Sequence, residues 1–184
     1  MNMNAAPVSS QPGRKVAILV TDGFEQVELT SPRDALQQAG AQTSVISPRA
    51  DGVQGFNHDE KADRIGVDLQ LSQARADDFD VLVLPGGVLN ADTLRTDEAA
   101  QAFVRAFDEA GKPIAVICHG AWLLIDAGLV QGRTLTSWPS LATDLRNAGA
   151  TWVDQEVCVD GRWISSRKPD DLPAFNARLL ECVR

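Results

Sequence analysis

The sequence predicts a doubly wound α/β fold, a mainly parallel sheet between two layers of helices, and three observations carry that reading. Its strand candidates are apolar on both faces, helical patterns alternate with them, and glycines close the helices. Residues 15–21, 44–47, 81–84 and 114–117 are continuous β-branched and aliphatic runs. Such strands belong in a parallel sheet covered on both sides. Between them Phe103, Ala106, Phe107 and Ala110 repeat at helical spacing, as do Ala121, Leu124 and Ile125, then Leu141, Leu145 and Ala148; each set can lay an apolar stripe on the sheet. Gly40, Gly111, Gly128 and Gly149 follow the last periodic residues, where a left-handed cap suits a residue without Cβ. The repeated order implies βαβ units with right-handed crossovers.

The remaining segments are read in turn. Pro32 cannot sit inside a helix without a kink, so residues 25–31 are expected to form a separate turn with Pro32 at the first helical position. Residues 52–71 read as a loop with short strands. Residues 156–166 read as a hairpin turning at Asp160-Gly161. The last helix starts near Asp170, with Leu172, Phe175, Leu179 and Cys182 on one stripe. Residues 1–14 are expected to be a disordered tail and 15–184 a single domain.

Composition narrows the partners. A chain of 184 residues with 44% apolar content suits one globular core. Its net charge of −8 would repel phosphate backbones and anionic lipid, which argues against nucleic acid and membrane surfaces. No stretch reaches the roughly 20 apolar residues of a spanning helix, and the N-terminus lacks a signal-like apolar core. A cytoplasmic protein is expected. Three widely spaced cysteines, Cys118, Cys158 and Cys182, suit neither a disulfide framework nor a zinc site. With no nucleotide-binding glycine motif and only two isolated histidines, no cofactor and no metal are expected.

In open α/β sheets the site lies beyond the carboxyl ends of the strands. Cys118 ends one apolar run and starts a helical pattern, as a nucleophile elbow would. There the helix N-terminus should lower the thiol pKa. His119 is the better placed of the two histidines to assist it, since His58 falls in a polar loop. Glu25, after the first strand, could stay protonated beside a thiolate and donate a hydrogen bond to it. Glu28, one turn on, reads as an ordinary first-turn acid. The amides of Gly87 and Val88 could face the oxygen of a carbonyl attacked by Cys118. Cys158, Cys182 and the four tryptophans read as packing or interface residues.

These residues carry a resemblance. The segments 22–29 (DGFEQVEL), 83–87 (VLPGG), 117–120 (ICHG), 136–139 (TSWP) and 163–167 (WISSR) resemble, in order, the PfpI family of intracellular-protease-like stress proteins. That family shares a superfamily with the parkinsonism-associated deglycase and the class I glutamine amidotransferases. The resemblance implies a flavodoxin-like sandwich that forms dimers or hexamers, a readily oxidised nucleophile at Cys118, and Glu25 protonated against it. It also implies that a carboxylate from a neighbouring subunit orients the histidine, which points to Asp92. The segment around Asp92 is one residue longer than in archaeal members and carries Asp in place of Glu. Glutamine amidotransferases use a histidine late in the sequence, and none follows His119. The implied activity is cofactor-free attack on a carbonyl carbon: repair of reactive aldehydes or glycation adducts, with a redox-sensing stress protein or chaperone as the alternative and peptide hydrolysis third.

Overall fold

The apolar runs become strands of one seven-stranded sheet in the computed structural model, which describes residues 13–184. Residues 1–12 of the expected tail lie outside the described residues. In chain order the elements are β1 (Lys15–Leu19), β2 (Phe24–Glu25), α1 (Gln26–Gln38), β3 (Gln42–Ser47), β4 (Val53–Asn57), β5 (Glu60–Ile65), β6 (Leu69–Gln70) and β7 (Val81–Leu84). There follow α2 (Val88–Arg95), α3 (Glu98–Glu109), β8 (Ile114–Ile117), α4 (Ala121–Asp126), β9 (Thr134–Leu135), α5 (Ala142–Asn147), β10 (Thr151–Trp152), β11 (Val157–Asp160), β12 (Trp163–Ser166) and α6 (Leu172–Glu181).

The sheet runs β11-β12-β8-β7-β1-β3-β6, parallel throughout except for the antiparallel edge pair β11–β12. Alternate residues along each central strand feed two separate cores. Ala17, Leu19, Leu82, Leu84, Ile114 and Val116 pack with α3, α4 and α5. Val16, Ile18, Val81, Val83, Ala115 and Ile117 pack with α1 and α6 on the other face. Both faces of every central strand are therefore dry, which is why the sequence shows unbroken apolar runs and no alternation. From β1 the chain leaves to β3 on one side and returns to β7 on the other. The switch point this creates opens a crevice at the carboxyl ends of β1, β7 and β8.

Two local expectations are corrected. Residues 26–38 form one helix with Pro32 inside it. The buried face of Glu28, Leu29, Pro32 and Leu36 is held against the sheet and α6, with Asn176 Nδ2 donating to Ser31 Oγ at 2.8 Å. Tertiary packing thus outweighs the one lost backbone bond. In the β11–β12 hairpin the turn is Gly161-Arg162, one residue later than expected. Asp160 stays in the ladder opposite Trp163, because its carboxylate accepts from the amide of Thr134 at 2.7 Å. The four glycines read as helix caps all have positive φ, between 63° and 88°.

A second, three-stranded sheet, β2–β4–β5, rises beside the crevice. It is tied to the start of α1 by reciprocal bonds between Gln26 and Asp63 at 2.7 and 2.9 Å. Among the described residues no helix is long and apolar enough to cross a membrane.

Candidate active site

Cys118 leaves β8 with φ at 61°, a left-handed conformation that is uncommon in a residue other than glycine, asparagine, aspartate or histidine. The turn puts its side chain over the end of the sheet, 6% exposed, on the wall of a cavity of about 310 Å³. A strained backbone held by buried strands on both sides is the geometry of a nucleophile elbow.

The carboxyl against this thiol is that of Glu28, not Glu25. Glu28 is fully buried; its Oε2 accepts from the amide of Gly86 at 2.8 Å, its carboxyl group and the Cys118 thiol influence each other's ionisation, and its Oε1 has no hydrogen-bond partner. Burial is the main reason its pKa rises from 4.5 to about 8, so it carries a proton at neutral pH. Glu25 lies in the two-residue strand β2, which delays the start of α1 to Gln26 and leaves Glu28 to turn inward. The Glu25 carboxylate instead accepts from the backbone N–H of His58 at 3.0 Å. It lines the same cavity.

The expected acidification of the thiol by a helix N-terminus is also corrected. Cys118 sits in a buried turn before the short α4, and burial, then the charge of Glu28, pushes its pKa up. The amides of Gly87 and His119 face the sulfur and pull the other way. Two adjacent buried acids cannot both ionise, so the Glu28–Cys118 pair holds at least one proton at neutral pH, and Glu28 carries one. With that proton on Glu28 the carboxylate charge is gone and its O–H can donate to the sulfur.

His119 Nδ1 lies 3.2 Å from Cys118 Sγ. The ring stacks on Trp138 (centroids 5.6 Å apart) and meets the edge of Trp122 at 5.2 Å. Burial lowers its pKa to about 4, leaving a neutral imidazole at neutral pH. Trp122 is itself fixed by Nε1 donation to Asp144 at 2.9 Å and by the Arg95 guanidinium over its ring. Trp138, read from the sequence as core or interface, is a cavity wall.

Gly87 is the N-cap of α2, with φ at 88°. Its amide faces the sulfur together with that of His119, whereas Val88 stands half-exposed at the cavity mouth beside Leu89. Asp92, on the exposed side of α2, does not line the cavity of its own chain. Asn90 was not singled out in the sequence, yet it staples the site. Fully buried, it accepts from Thr21 N at 2.7 Å and donates to the carbonyls of Pro85 and Gly86 at 3.2 and 2.9 Å. Asn90→Ala would orphan these three groups and is expected to lower the unfolding free energy by roughly 3 kcal/mol, measured by urea denaturation. Among the described residues no group of three or more His, Cys, Asp or Glu could hold a metal ion.

Known proteins resemble this chain in sequence and in fold. The chain matches the DJ-1/PfpI family over residues 14–182. It is 42% identical over 171 residues to a Bacillus subtilis protein whose name assigns it, provisionally, to the cysteine proteases, covering 93% of this chain and 99% of that one. It is 41% identical over 170 residues to a deglycase of Thermococcus kodakarensis, covering 92% and 99%. The crystal structure of Drosophila melanogaster DJ-1beta superposes with a TM-score of 0.85 at 29% identity, covering 93% of this chain and 90% of that one. Matched from β1 to the end of α6 and folded in the same way, this chain belongs to the DJ-1/PfpI family.

Proposed function

We propose that the chain is a cofactor-free cysteine enzyme of stress defence that attacks carbonyl carbon, with reactive aldehydes or early glycation adducts as substrates. The observation that carries this reading is the Cys118 elbow, a strained sulfur open to a cavity and backed by the protonated Glu28. In the reacting state Glu28 keeps its proton and donates it as a hydrogen bond to the charged sulfur. The sulfur adds to the carbonyl carbon while the Gly87 and His119 amides offset the local negative charge. His119, through Nδ1, orients the sulfur. The relatives' names, one a deglycase and one provisionally a cysteine protease, support an enzyme, and the second supports a cysteine as its reactive group.

Purified protein is expected to consume methylglyoxal, and Cys118→Ala to lose that activity to the level of the buffer. Equal rates for the two proteins would end this reading. A redox-sensing role has one observation in its favour: the unpartnered Oε1 of Glu28 could bond an oxidised Cys118 sulfur. Peptide hydrolysis ranks below both.

We also propose that the protein is a homo-oligomer. Val88 and Leu89, 51% and 60% exposed at the start of α2, with Asp92 one turn on, form a rim that a second copy could cover. Only such a copy could bring an Asp92 carboxylate to His119. Light scattering that gives a monomer would exclude this.

A further inference from the structure

Building on the function proposed above, we propose that His58 carries the proton to and from the substrate oxygen, and that Glu25 is its positioning residue. His58 and Cys118 are the two non-glycine residues in the left-handed region among those described, with φ of 59° and 61°, and both line the one cavity. His58 occupies the tight turn between β4 and β5, where glycine or asparagine would take the same backbone at less cost. Histidine meets this turn conformation more readily than most side chains, and what singles His58 out is that the turn sets it on the wall of the cavity that holds Cys118.

The surroundings hold the turn in register with the sulfur. Glu25 Oε2 accepts from the His58 amide at 3.0 Å. β2 pairs with β4 through Phe24 opposite Gly55 and Glu25 opposite Phe56. The Gln26–Asp63 bonds and the amide of Gln54 donating to Asp22 at 2.8 Å pin both arms of the hairpin. Glu25 thus acts on the cavity through the backbone of the next strand pair.

His119 is committed elsewhere. When the sulfur is charged, the single proton of the neutral His119 ring sits on Nδ1 against it, leaving none for a substrate oxygen. Attack forms the C–S bond and moves the carbonyl π pair onto oxygen. His58 gives its ring proton to that oxygen, forming the hemithioacetal. In a 2-oxoaldehyde the carbon-bound proton then moves to the neighbouring ketone carbon, so that one carbon is oxidised and the other reduced by the same two electrons. The hydroxyl proton returns to His58 as the thioester forms, and water cleaves the thioester to a 2-hydroxy acid and the free thiol. No electrons are gained or lost overall. The other titratable groups facing this cavity are Glu25, Glu28, Asp59, Cys118 and His119.

The test compares wild type with His58→Gln and His58→Gly in two assays: consumption of methylglyoxal, and alkylation of Cys118 by iodoacetamide. Consumption should fall on the order of 100-fold in both variants. Alkylation displaces iodide and needs no proton on oxygen, so it should stay within about twofold of wild type. His58→Gly should unfold at the same or a higher temperature, because glycine relieves the backbone strain; lost activity would then not be lost fold. Glu25→Ala should give a partial loss that adds nothing to His58→Gly. Consumption within about twofold of wild type, or alkylation slowed in parallel with it, overturns the assignment. A wild type whose Cys118 alkylates but which consumes no methylglyoxal refutes the function proposed above and this inference with it, a result read on the unmodified protein alone.

Discussion

Glu28→Gln is expected to raise stability above pH 5, by a margin that grows with pH. The folded pKa of Glu28 is about 8 against an ordinary 4.5. Between those values the folded protein keeps a proton that the unfolded chain releases, so wild-type stability falls as pH rises through the window. The slope is at most about 1.4 kcal/mol per pH unit, which amounts to about 3 kcal/mol at pH 7 and about 5 kcal/mol above pH 8. Gln keeps an oxygen for the Gly86 amide and removes the titration, so its stability should be flat across the same window. Urea unfolding of both proteins from pH 5 to 8.5 measures this. Parallel curves would mean that Glu28 ionises as an ordinary surface acid.

Gly86→Ala should cost the site its reactivity while leaving the sheet in place. A Cβ at Gly86 would lie 2.5 Å from Glu28 Oε2, 2.6 Å from the Cβ of Cys118 and 3.0 Å from the amide of His119. None of the three can retreat. Glu28 is bonded to the Gly86 amide itself, and Cys118 is fixed by the turn after β8. Overpacking of this kind costs about 1–3 kcal/mol. Displacing the sulfur from its carboxyl by even about 1 Å is expected to slow Cys118 alkylation and methylglyoxal consumption on the order of 100-fold. Alkylation at the wild-type rate would show that the Glu28–Cys118 contact does not set the reactivity.

Much of this was legible from sequence. The sheet was, because both faces of its central strands are buried and no polar residue interrupts them. Cys118 was, because a cysteine between a dry strand and a helical pattern has few other places to go. The choice between Glu25 and Glu28 was not, because it depends on β2, a two-residue strand that exists only through its pairing with β4. One signal was available and went unused: Glu28 shares a stripe with Pro32 and Leu36 at spacings of four, and a carboxyl group on an apolar stripe is the anomaly that marks a buried acid. His58 read as loop because its place on the cavity wall comes from the hairpin folding back over β2, a long-range event. Asn90 drew no reading from the sequence for the same reason, its three partners lying on other segments or before the helix begins.

The hairpin that carries His58 hangs from the crevice by side-chain and edge-strand bonds, while Cys118 and Gly86 follow directly on the central strands β8 and β7 and Glu28 stands on α1 packed against the main sheet. Nucleophile and facing wall therefore occupy mechanically separate parts. Insertions, deletions or exchanges between Val53 and Ile65 can change which molecules fit without disturbing the strain that arms the sulfur. Over generations, such a scaffold can diversify its clientele by rewriting the rest of one appendage while His58 and the reactive cysteine stay in place.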